Sequence, residues 1–118
     1  MTKEMKARTK QYGLRVIKVV QALPSDRVSN VLGSKLFRSG TSVGANYRAA
    51  CRAKSTADFI NKLKIVEEEG DESLYWMEML AESGLMPERK LSALMKEGDE
   101  ILAITVASLK TNRIATRS

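Results

Sequence analysis

Hydrophobic residues recur along this chain at three- and four-residue spacing, the period of a helix with one buried face. Over residues 3–23 that spacing joins Tyr12, Val16, Val19, Val20 and Leu23, with Leu14 and Ile17 off the centre of the stripe. Pro24 and Pro87 are the only two prolines, and each falls between periodic segments. A proline removes an amide donor and clashes with the preceding turn, so it separates helices rather than sitting inside them. Ser25 is placed to cap a second helix over 26–53. Its stripes are Val28, Leu32 and Leu36, then Val43, Tyr47 and Ala50. Between them lie Gly33, Gly40 and Gly44, each costing about 1 kcal/mol against alanine in a helix. A patch of small residues offsets that cost if another backbone comes close, and the spacing predicts a continuous or slightly bent helix.

Ser55-Thr56-Ala57-Asp58 has the form of a capping box. The third helix follows over 56–83, with Phe59, Leu63, Val66, Gly70, Met77 and Leu80 inward and Gly84 as its stop. A fourth helix over 87–110 turns Leu91, Leu94, Met95, Leu102, Val106 and Leu109 inward. The basic tail from Thr111 is expected to fray. No stretch alternates with period two, and hairpin dipeptides are absent. The expected fold is all-α: a single domain over 1–118 forming an up-down-up-down antiparallel four-helix bundle.

Charge is unevenly spread. Residues 1–54 hold 12 basic and 2 acidic side chains, net +10, whereas residues 55–84 hold 2 and 8, net −6. Such a division suits either a polyanion-binding face or an opposite-charge contact between subunits. The basic positions recur at helical spacing. Lys6 and Lys10 share one side of the first helix, Arg15 and Lys18 another, and Arg38, Arg48, Arg52 and Lys54 extend along the second. These eight are the candidate nucleic-acid contacts, because a spread row of cations neutralises several backbone phosphates at once. Aromatic residues are 5% of the chain, too few for recognition by base stacking.

The chain has no histidine and one cysteine, Cys51. That removes the commonest general base, the usual nucleophile pairs and most zinc sites. A lone thiol fits a reducing cytoplasm. No run approaches the roughly eighteen apolar residues of a membrane span, so no membrane partner is expected. Gly40-Thr41-Ser42-Val43-Gly44 lacks the Gly-Lys-Ser/Thr ending and the preceding strand of a phosphate loop. The run Glu67, Glu68, Glu69, Asp71 and Glu72 lacks the histidines of a di-iron bundle. Neither catalytic residues nor cofactors are therefore expected, and the chain reads as a non-enzyme. Ser42 and Asn46, one turn apart among small residues, are expected to be buried and bonded between helices, forming a structural polar motif with Glu69 and Glu72.

The stretch Thr41-Ser42-Val43-Gly44-Ala45-Asn46-Tyr47-Arg48 carries a family resemblance. It continues through Cys51-Arg52-Ala53-Lys54-Ser55, Asp58-Phe59-Ile60-Asn61-Lys62-Leu63, Glu69, Asp71-Glu72 and Leu74-Tyr75-Trp76. It resembles the bacterial four-helix-bundle family, also called the 23S ribosomal RNA intervening-sequence protein family. Ala49 departs from the pattern, since the family often has glutamate there. The resemblance implies a four-helix protomer in a ring-like homo-oligomer, usually a pentamer. Distant relatives are accessory variability determinants of diversity-generating retroelements, which partner a reverse transcriptase. The expected function is that of an oligomeric RNA- or DNA-binding scaffold. The alternative is an adaptor for a reverse transcriptase or another nucleic-acid enzyme.

Overall fold

The computed structural model describes residues 2–117. Within them the chain forms α1 (Thr2–Gln21), α2 (Arg27–Cys51), α3 (Thr56–Glu82) and α4 (Glu88–Arg117). Each helix packs against two neighbours: α1 on α2, α2 on α3, α3 on α4, and α1 on α4. Short turns make successive helices antiparallel, giving a rod-like bundle of 51 × 21 × 20 Å.

The turns follow local chemistry. Asp26, not Ser25, caps α2: its carboxylate accepts the Ser29 amide at 2.9 Å and the Ser29 hydroxyl at 3.1 Å. Ser29 is buried, so the Asp26 cap also satisfies its hydroxyl. Ser55 caps α3, accepting the Asp58 amide at 3.1 Å. Asp58 reaches back to the Lys54 amide, tying the α2–α3 turn together. Gly84 takes φ +80°, a left-handed conformation that costs a residue without Cβ little. Its amide bonds to the Ala81 carbonyl and the Leu85 amide to the Leu80 carbonyl, the paired closure of a Schellman end.

The glycine-rich middle of α2 is unbroken helix, in keeping with its small-residue reading. Leu36, Val43, Leu63, Val66, Met77, Leu80, Leu91 and Ile101 are buried in the core. Two expected core positions are not. Val28 is 57% exposed and Val106 is 41% exposed. In α4 the buried positions run Leu94, Gly98, Ile101, Thr105 and Leu109, a phase set by Gly98 and Thr105, which a search for large apolar residues passes over. The Thr105 hydroxyl donates to the Ile101 carbonyl at 2.8 Å, so its burial leaves no donor stranded. α4 extends past the expected boundary at 110 and continues to Arg117, with no glycine or proline to end it.

Tyr12 crosses the core from α1 to α3. The Ser73 hydroxyl donates to the Gly70 carbonyl at 2.7 Å and accepts from the Tyr12 hydroxyl, also at 2.7 Å. Gly98 makes the passage. A Cβ there would lie 2.8 Å from the phenol oxygen and 2.9 Å from Leu74 Cδ2.

Candidate nucleic-acid interface

Helices α1 and α2 meet through small residues. A Cβ on Gly40 would lie 2.7 Å from a Val16 methyl, and one on Gly44 would lie 3.0 Å from the Thr9 carbonyl oxygen. That close approach leaves a shallow open groove of about 520 Å³ on the outer side of the pair. Gly13, Leu14, Ile17, Thr41, Gly44 and Ala45 line its length. Lys6 and Lys10 border it from α1, and Arg48 and Arg52 from α2. The two helices are antiparallel, so the start of α1 and the end of α2 bring these cations to one end of the bundle. All four are exposed. Among the described residues, no carboxylate lies within ion-pair distance of any of them.

A second depression, of about 380 Å³, opens between α2 and the start of α3. Ala45, Arg48 and Arg52 border both hollows, and Ala49, Lys54, Asp58 and Lys62 complete the second. Asp58 is its single carboxylate, 3.8 Å from the Lys62 ammonium. Lys62 was not among the sequence candidates. Its signal was the short α2–α3 turn, which carries the first turns of α3 to the basic end of α2.

The remaining candidates sit elsewhere. Arg38 is paired with Glu69 at 3.1 Å and with Glu72 at 2.9 Å across α2 and α3. Glu72 also accepts the Trp76 indole N–H at 3.2 Å. Hydrogen bonds from Trp76 and then Arg38 hold the Glu72 carboxyl below its usual range. The Lys35 ammonium lies 5.3 Å from the Trp76 ring, so this cluster is balanced within itself. Arg15 and Lys18 border neither hollow. Arg15 is close enough to Glu97 to help lower its carboxyl pKa, after the larger effect of the Arg8 hydrogen bond.

The expected bonding of Ser42 and Asn46 between helices is not what forms. Ser42 donates to the Arg38 carbonyl at 2.6 Å, and the Asn46 amide donates to the Ser42 carbonyl at 2.8 Å. Both bonds stay within α2, because one turn back is the nearest open acceptor for a short polar side chain. Glu69 and Glu72 serve the Arg38 cluster instead.

A family model described as 23S rRNA-intervening sequence protein matches residues 2–107. The chain belongs to that family. A crystal structure from Bacteroides thetaiotaomicron, of a protein with unknown function from the S23 ribosomal protein family, is similar to it at 31% identity and a TM-score of 0.85. The match covers 90% of this chain and 98% of that one. No curated protein matches the chain. The likeness is to a protein with unknown function and assigns no chemistry to the surface just described. No described helix is long and apolar enough to cross a membrane.

Proposed function

We propose that this 23S rRNA-intervening sequence family member is a non-enzymatic nucleic-acid-binding scaffold whose contact surface is the basic α1–α2 groove. The observation that carries the reading is the convergence of Lys6, Lys10, Arg48 and Arg52 on one groove without carboxylate partners among the described residues. Unpaired cations on a fixed scaffold gain affinity by releasing counterions from a phosphate backbone. Arg38 is excluded, because binding there would first have to displace Glu69 and Glu72. The groove has no aromatic lining, so it reads charge and shape rather than bases.

Self-assembly belongs to the same proposal. Several copies in a ring-like homo-oligomer would repeat the groove and sum modest contacts into avidity. The test compares two charge reversals on a short RNA. Arg48→Glu with Arg52→Glu should abolish binding, and Arg15→Glu with Lys18→Glu, an equal change of charge, should weaken it far less. Equal losses would show that net charge, not the groove, is responsible.

A second reading rests on the outer side of α3, where Ile65, Tyr75 and Met79 are exposed near Glu68, Asp71 and Glu78. That face suits a basic partner surface on a reverse transcriptase or another nucleic-acid enzyme. Purification from the native host separates the readings. A stoichiometric protein partner supports the adaptor, and nucleic acid alone supports the scaffold.

A further inference from the structure

We infer that the ligand is one unpaired strand, which leaves the α1–α2 groove, crosses the end of α2 and enters the α2–α3 depression, where Lys54 and Lys62 hold it. The inference rests on the nucleic-acid reading and gives that site a path and a ligand geometry. Arg48 and Arg52 border both hollows, so the cations form one band: Lys6 and Lys10, then Arg48 and Arg52, then Lys54 and Lys62. The band lies across the bundle. Because α2 packs between α1 and α3, its two hollows open on adjacent sides of a body about 20 Å wide. A strand that touches all six cations must turn that corner.

Duplex DNA is stiff over about 150 base pairs and does not bend around so small a radius without a large deformation cost. A single strand bends freely. The usual electrostatic preference runs the other way, since counterion release contributes about 0.9 per contacted phosphate for duplex and about 0.7 for single strands. A preference for single strands therefore reports the shape of the band, not its charge alone. Asp58 opposes the phosphate in the second hollow. It accepts the Lys54 amide and lies 3.8 Å from Lys62, so it both braces the turn and offsets one cation.

The experiment measures binding of the full chain to a short oligouridylate, to a DNA single strand of the same length, and to that DNA annealed to its complement. Each is followed over a salt series. Lys62→Gln should weaken single-strand binding several-fold and reduce the magnitude of the salt slope by about 0.7. Lys18→Gln, the same charge change outside the band, should leave both unchanged. Asp58→Asn keeps an acceptor for the Lys54 amide and should tighten binding. Circular dichroism shows whether each variant retains its helices. The inference fails alone if the chain binds single strands yet Lys62→Gln behaves like Lys18→Gln, or if the duplex binds as tightly as its separated strand. If no nucleic acid binds at all, the nucleic-acid reading falls and takes the path with it.

Discussion

Tyr12 illustrates how one side chain sets both packing and pH response. Burial pushes its phenol up to about 12 from an ordinary 10, so it remains a neutral donor to Ser73. Tyr12→Phe should destabilise the fold by about 1 kcal/mol, the net worth of one buried hydrogen bond, read as a shift in the urea midpoint. Native Tyr12 keeps its proton after the unfolded chain has lost it, so stability should fall as pH rises from 10 toward 12. In Tyr12→Phe that part of the alkaline decline should be absent. Glu97 behaves in the opposite sense. Arg8 donates to it at 3.0 Å and 2.6 Å and holds its carboxyl below the usual range. That contribution is present above the ordinary carboxylate value and is lost as pH falls through the lowered one. Arg8 is about one-third exposed, so the effect is no more than about 1 kcal/mol. An acid titration of Glu97→Gln should show a flatter loss of stability than the parent chain. Arg38→Gln, a change within a balanced cluster, should alter RNA affinity less than Arg48→Gln.

Helix existence was legible in the sequence because two prolines, a capping serine and Gly84 punctuate four stripes of helical period. Helix phase was less so. Val28 and Val106 fit the stripes by spacing yet face outward, because Ser29 and Gly33 take the buried positions of α2, and Gly98 and Thr105 those of α4. A glycine reads as a cost within one helix, and its use is visible only when the neighbouring side chain is in place. Gly98→Ala should raise local helix propensity by about 1 kcal/mol. It also drives a Cβ into Tyr12 and Leu74, an overpacking cost of about 1–3 kcal/mol. The second effect wins at the larger end of that range, and a net loss in the thermal midpoint is expected. Gly44→Ala meets backbone rather than a side-chain tip, so α1 itself must move. It should lower both stability and RNA affinity, since it widens the seam beneath the groove.

At the scale of the molecule, the sequence showed that the N-terminal half is basic but not which cations lie together. The hairpin geometry makes that selection. It gathers Lys6 and Lys10 with Arg48 and Arg52, residues far apart in the chain, and adds Lys62 from α3. It leaves Lys18 and Arg15 outside the groove and gives Arg38 to Glu69 and Glu72. The pairing across α2 and α3 depends on contacts distant in sequence, and so it could not be read from helical spacing. The central claim is that unpaired charge in this groove binds nucleic acid. Its most direct measurement is fluorescence anisotropy of a labelled single-stranded RNA titrated with the chain over increasing salt. A steep fall of affinity is expected, with a log–log slope of about −3 or steeper for four or more phosphate contacts, abolished by reversing Lys10, Arg48 and Arg52. Affinity that holds constant with salt, or that survives those reversals, would contradict it.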